Sequence, residues 1–249
     1  MKDEYVIAHL SDMHVGESGF RKEKVLQCIR EVNKLATDAV IITGDLTADG
    51  LPEEFRQARE YVNKLKPEPI IIMGNHDARN VGYEAFEECF GERMVIHEDD
   101  RIYLIGVDSS SPDVDEGHIG RVFLKNIHDS IAATPKNKMK IFALHHHLVP
   151  VPNAGRERNI LIDAGDTLKM LINCGTELVL SGHRHVSWTW KIENMAIVHA
   201  GTIGSLRIRG MAGQNYSMIR ISDEEISVGL KLIGEPERMV RSIKRSHPS

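Results

Sequence analysis

Residues 5–14 read Tyr5-Val6-Ile7-Ala8-His9-Leu10-Ser11-Asp12-Met13-His14, an apolar run that gives way abruptly to polar residues. A run of this length, too short for a stable helix and bounded by polar residues, predicts a buried strand. Its carboxyl end delivers Asp12 and His14 to a loop. The pattern recurs along the chain: residues 39–43 (AVIIT) lead into Gly44-Asp45, and residues 69–73 (PIIIM) lead into Gly74-Asn75-His76-Asp77. Residues 140–144 (KIFAL) precede His145-His146-His147, and residues 178–180 (LVL) precede Gly182-His183-Arg184-His185 after one serine. In open α/β sheets the carboxyl ends of strands form the crevice where ligands bind, so these distant segments are expected to converge.

Between the strands the apolar period changes. Val25, Leu26, Ile29, Val32 and Leu35 recur at three- and four-residue spacing, predicting an amphipathic helix over residues 21–35. A second helix is predicted from Pro52, a proline acceptable in a first helical turn, to residue 65. Further helices are expected at 122–132 and 163–173, and further strands at 102–107 and 196–200. Beyond Trp188 the pattern turns to hairpins, with strands expected at 204–208, 216–221 and 226–232. The expected fold is α/β: a four-layer α-β-β-α sandwich of two mixed sheets flanked by helices. One main domain spans residues 1–234, followed by a basic tail over 235–249. In that tail Arg238, Arg241, Lys244 and Arg245 are interleaved with Met239, Val240 and Ile243, which reads as a basic amphipathic helix for a partner or as a frayed terminus.

Composition sets outer limits. The 249 residues are 41% hydrophobic and 27% charged, ordinary globular proportions, and no apolar run approaches the roughly 20 residues that span a bilayer. The opening residues lack the pattern of a secretory signal, so a cytoplasmic location is expected. Three scattered cysteines form no CxxC pair and leave no complete intramolecular disulfide set. A net charge of −5 does not favour a broad nucleic-acid footprint. Thirteen histidines are the compositional anomaly.

Each motif alone is weak, since GD is commonly a turn, HxH is commonly structural and the Asn of GNHD could cap a helix. Their ordered series DxH, GD, GNHD, HH and GHxH, over residues 5–201, resembles the calcineurin-like metallophosphoesterases, and within them the class III cyclic-nucleotide phosphodiesterases and related glycerophosphodiesterases. Purple acid phosphatases fit less well, because Ala48 stands where their tyrosine would be and His14 has no counterpart in their first motif.

The resemblance implies two metal ions, with Mn, Fe and Zn the leading candidates for these oxygen and nitrogen ligands. It assigns Asp12, His14, Asp45 and His185 to one ion, and Asp45, Asn75, His145 and His183 to the other, with Asp45 bridging. His145 is chosen because it directly follows the strand, with His146 as the alternative. His76 would stabilise the phosphoryl group or protonate the leaving alkoxide, and Asp77 would orient it or its loop. Two divalent ions, two carboxylates and a hydroxide between the metals leave a small net positive charge, which suits an anionic phosphoester and in-line attack by that hydroxide. Arg79, Arg156 and Arg207 are candidate substrate contacts, with Arg158 and Arg209 nearby, and Arg207 and Arg209 are expected on one face of a strand. His9, inside the first strand, reads as a core residue.

The expected substrate is a small phosphoester, with cyclic nucleotides first. Two other readings are a nuclease with the same centre and a scaffold on a vestigial site. The first lacks an obvious capping domain and the second does not explain an intact ligand set. A homodimer is suggested by the resemblance alone.

Overall fold

The computed structural model describes residues 4–155, 160–209 and 213–245. In chain order the elements are β1 (Tyr5–Leu10), α1 (Lys22–Val32), β2 (Ala39–Thr43), α2 (Pro52–Val62), β3 (Ile70–Ile72), α3 (Gly82–Phe90), β4 (Met94–Glu98), β5 (Ile102–Val107) and α4 (Arg121–Ala132). There follow β6 (Met139–Ala143), α5 (Ala164–Asn173), β7 (Leu178–Ser181), β8 (Trp188–Ile192), β9 (Met195–His199), β10 (Asn215–Ile221), β11 (Glu225–Leu232) and β12 (Arg238–Lys244).

Two six-stranded mixed sheets form, in the orders β12-β11-β10-β1-β2-β3 and β4-β5-β6-β7-β9-β8. Parallel pairs β1–β2 and β2–β3 run from the middle of the first sheet to its β3 edge, and β5–β6, β6–β7 and β7–β9 form the middle of the second. Strands covered on both faces need apolar residues throughout, and every residue of β2 is buried accordingly. Between the sheets Ile7, Ile41, Ile72, Leu104, Ile141, Leu178 and Val198 make one apolar layer. Helices α1, α2 and α3 cover the outer face of the first sheet through Val25, Phe55 and Phe86, while α4 and α5 cover the second through Ile127 and Leu171. The expected α-β-β-α sandwich is the observed architecture. Among the described residues no helix is long and apolar enough to cross a membrane.

Two local expectations are corrected. Residues 204–208 form no strand. There Arg21 N–H donates to Gly204 O, and Gly204 and Ser205 N–H donate to Thr202 Oγ1, so side-chain and turn bonds replace a ladder. The segment after Gly234 forms neither a helix nor a frayed end over 238–244, where it is the edge strand β12, antiparallel to β11 with Ile243 opposite Ile226. Ile243 is buried in the layer between the sheets, a gain that a surface helix would forgo. Strand β4 and helix α3 have no counterpart among the sequence expectations; β4 alternates between exposed and half-buried positions at a sheet edge and carries a weak apolar signal.

Candidate metal centre

The turns after β1, β2 and β3 of the first sheet meet those after β6 and β7 of the second at one end of the sandwich. Five of the seven expected ligands have left-handed backbones: Asp12, His14, Asp45, His183 and His185, with φ of 56°, 53°, 53°, 76° and 56°. Non-glycine residues adopt this region at a cost, and clusters of such residues are characteristic of functional sites. The strands therefore end in sharp reversals that aim side chains across the crevice. Close packing of the turns is also required, since a Cβ on Gly74 would lie 2.3 Å from Asp45 Oδ1.

Three sets of ligand atoms converge: Asp12, His14 and His185; Asp45, His145 and His183; and His14, Asp45 and His76. Each carboxylate has one oxygen fixed by backbone, because His183 N–H donates to Asp12 Oδ2 at 3.0 Å and His76 N–H donates to Asp45 Oδ1 at 2.9 Å. The other oxygens face imidazoles: Asp12 Oδ1 is 3.1 Å from His185 Nε2 but off the line of a hydrogen bond. Asp45 Oδ2 lies 3.5 Å from His14 Nε2 and 3.3 Å from His145 Nε2, so it stands between the two groups.

Carbonyls set the tautomers. His145 Nδ1–H donates to Thr43 O at 2.6 Å, His185 Nδ1–H to Arg207 O at 2.7 Å and His76 Nδ1–H to Ala48 O at 2.6 Å. A carbonyl can only accept, so each Nε2 of the neutral rings presents a lone pair. His14 Nε2 and His185 Nε2 approach to 2.9 Å, and Asn75 Oδ1 lies 3.1 Å from His145 Nε2 and 2.9 Å from His183 Nδ1. Lone pairs and carboxylates converging in buried space are stabilised by cations, and this O/N set suits borderline divalent metals. The residues thus fit the implied pair of ions.

Electrostatics agrees with the geometry. Burial works against ionising Asp12 and Asp45, but His185 and His14 beside Asp12, and His145, His76 and His14 beside Asp45, hold both carboxyls below the usual range. Burial also disfavours a charged His145, yet Asp45 pushes its pKa up to about 9, so in the metal-free chain the ring keeps an Nε2 proton at neutral pH that a bound cation would displace. Burial, followed by the charge of His145, lowers His146 to about 3.

The three consecutive histidines are separated by their partners. His145 alone among them shares a ligand group with Asp45 and His183. His146 Nε2–H donates to Asp115 O at 3.1 Å while Ser109 Oγ donates to its Nδ1 at 2.8 Å, so both its nitrogens are engaged. His147 Nε2–H donates to Gly182 O at 2.6 Å. His9 is wholly buried, with Nε2–H donating to Thr43 Oγ1 at 2.9 Å.

Asp77 has both oxygens engaged by the loops themselves. Thr47 N–H and Oγ1–H donate to Oδ1 at 2.9 and 2.7 Å, and Leu46 and Gly74 N–H donate to Oδ2 at 3.2 and 3.0 Å. It joins the GD turn to the GNHD turn. Burial, then the charge of Asp45, raises its pKa to about 6.

Of the expected substrate contacts, Arg79 pairs with Asp115 at 2.9 Å and Asp49 at 3.4 Å, and Arg207 pairs with Glu17 at 2.5 Å. Arg207 and Arg209 do not share a strand face, because that segment is not a strand. Arg156 and Arg158 lie outside the described residues. Two partners escape the sequence motifs. Asp115 accepts from Asn75 Nδ2 at 3.1 Å, turning the amide oxygen toward His145 and His183, and Thr202 Oγ1 donates to Asp12 O at 2.6 Å. Neither has a motif; Asp115 comes from an irregular loop forty positions from Asn75, and only the fold brings them together.

A sequence model of the calcineurin-like phosphoesterases matches residues 5–187. The chain is 32% identical over 161 residues to a probable glycerophosphodiester phosphodiesterase of Arcobacter nitrofigilis, a match spanning 59% of this chain and 58% of the relative. The chain thus spans little more than half the length of that relative. It is 27% identical over 256 residues to a probable cyclic nucleotide phosphodiesterase of Rhodococcus erythropolis, covering 90% of this chain and 82% of the relative. Among solved structures, a dimetal phosphatase from Danio rerio superposes with a TM-score of 0.74 at 9% identity, covering 97% of this chain and 99% of that one, a likeness of fold. Fold, site and family match together define the class, a metal-dependent phosphoester hydrolase. Within that class, the chain belongs to the calcineurin-like phosphoesterase family.

Proposed function

We propose that the chain is a two-metal phosphodiesterase acting on cyclic nucleotides or other small phosphodiesters. The observation that carries this reading is the convergence of Asp12, His14 and His185 with Asp45, His145 and His183 around a central Asp45 carboxylate. The similarity to the probable diesterases of Arcobacter and Rhodococcus supports diesters as substrates.

Asp12, His14, Asp45 and His185 would hold one ion, and Asp45, Asn75, His145 and His183 the other. When bound, the two cations supply positive charge for the phosphoryl oxygens and acidify a water for attack. The chain's own residues do the rest. Asp115 fixes the Asn75 amide so that its oxygen faces inward, and Asp77 holds the two ligand-bearing turns together. His76, anchored through Nδ1–H to Ala48 O, presents Nε2 to the crevice, from where its imidazolium form would donate the Nε2 proton to the leaving alkoxide.

The test is a screen of the Mn²⁺-reconstituted protein against 3′,5′-cyclic AMP, 3′,5′-cyclic GMP, glycerophosphodiesters and bis(p-nitrophenyl) phosphate. Turnover of a cyclic nucleotide or another small natural diester is expected. Hydrolysis confined to the aryl ester would sink the substrate assignment. Steeply salt-dependent binding of long polynucleotides would instead identify a nuclease.

A further inference from the structure

Arg184 lies between His183 and His185, but its side chain has no place in the ligand set. Its Nε donates to Ala154 O at 2.9 Å, and Arg209 Nη1 donates to the same oxygen at 2.8 Å. Two full positive charges therefore share one neutral acceptor. Among the described residues no carboxylate lies within ion-pair distance of either, whereas Arg79 is held by Asp49 and Asp115 and Arg207 by Glu17. Bringing like charges together is unfavourable unless an anion relieves it.

The backbone is shaped to allow the approach. Gly155 has φ of +93°, and a Cβ there would lie 2.6 Å from Arg184 Nη2 and 2.6 Å from Arg209 Nη1. A cavity of about 340 Å³ is lined by Pro150, Pro152, Ile160, Trp190 and Arg184, and by Ala154, whose carbonyl also accepts from Arg209. His147 lines it too, and its ring is 6.0 Å from that of the expected ligand His183. The cavity is of the size of small-ligand pockets, and Arg184, which follows the expected ligand His183 directly in the chain, links it to the candidate metal centre. Arg184 uses Nε and Nη2 on Ala154, and Arg209 uses Nη1, so among the described residues Nη1 of the first and Nε and Nη2 of the second remain for an anion.

We propose that Arg184 and Arg209 form a second anion subsite beside the metal centre, selecting phosphoesters that carry a further phosphate on the portion lying in this cavity. The inference rests on the phosphoesterase reading above, and adds that the preferred substrate bears two phosphoryl groups.

The test uses the full chain loaded with Mn²⁺ and two chromogenic diesters, thymidine 5′-(p-nitrophenyl phosphate) and the same compound bearing a 3′-phosphate. The 3′-phosphorylated ester is expected to have a kcat/KM higher by about tenfold or more, the scale of one charge-assisted contact. Arg209→Gln should reduce that ratio at least about fivefold. Arg184→Gln should do the same, and its metal content is measured first because it sits between two expected ligands; if metal is lost, Arg209→Gln alone decides. Equal kcat/KM for the two esters, or a ratio unaltered in Arg209→Gln, would overturn the subsite. If neither ester is hydrolysed, the catalytic reading fails and calorimetry decides the subsite. Thymidine 3′,5′-bisphosphate should bind at least about tenfold more tightly than thymidine 5′-phosphate, an advantage lost in Arg209→Gln, and equal affinities would refute it.

Discussion

At the residue scale, the ligand candidates differ in what removing them should do. Asp45 stands between both groups, so Asp45→Ala should lose metal and turnover together. His76 is held by Ala48 O and is proposed to act on the leaving group, so His76→Ala should retain both metals while kcat falls by about 100-fold or more. Metal analysis beside single-substrate kinetics checks both, and equal metal loss in the two variants would remove His76 from its catalytic role. Asp77→Asn should lower stability by about 1–3 kcal/mol, because a neutral amide cannot accept four donors with two oxygens' geometry. A urea midpoint unchanged in that variant would refute its part in joining the turns. The ligand-bearing motifs were legible in the sequence because each follows an apolar strand directly. Asp115 was not, since its meeting with Asn75 depends on how a long loop folds back. Arg184 lay in plain view inside GHRH, but its neighbour Arg209 comes from another segment and no spacing links them.

At the scale of elements, the helices and central strands followed from apolar period, and the exceptions have physical reasons. Met239, Val240 and Ile243 fit helical spacing over so short a stretch that strand and helix are indistinguishable by period. The open edge of β11 and the burial of Ile243 decide for a strand. Arg220 pairs with Glu237 just before β12, and Arg245 just after it reaches Glu177 at 2.8 Å, fastening the strand at both ends. Ile243→Ala should therefore cost about 2 kcal/mol or more, read as a lower urea midpoint. A loss under about 0.5 kcal/mol, the level of surface substitutions, would mean β12 is dispensable.

At the scale of the molecule, the two sheets bury histidines as well as apolar residues. Burial lowers the pKa of His9 to about 3 against the opposing charge of Asp12, and burial with the charge of His9 lowers His199 to about 3. In the unfolded chain both return to about 6.5, so the unfolded state binds more protons as pH falls through that value. The contribution of these two histidines is complete above about pH 6.5 and is lost on acidification toward about pH 3, by up to about 1.4 kcal/mol per histidine per pH unit. Urea titrations of the chelated protein at pH 7.5 and 5.5 check this, and His199→Asn should flatten the profile; a wild-type midpoint independent of pH would contradict it. The proposed dinuclear centre would join the two sheets, and turnover of bis(p-nitrophenyl) phosphate, recorded while Mn²⁺ is titrated into the chelated protein with bound metal counted, tests it. Activity that rises from nothing and saturates as two ions bind per chain, and that Asp45→Ala abolishes along with the binding, is the predicted result. Full activity in the metal-free chain, or two bound ions with no hydrolysis of any phosphoester, would contradict the account.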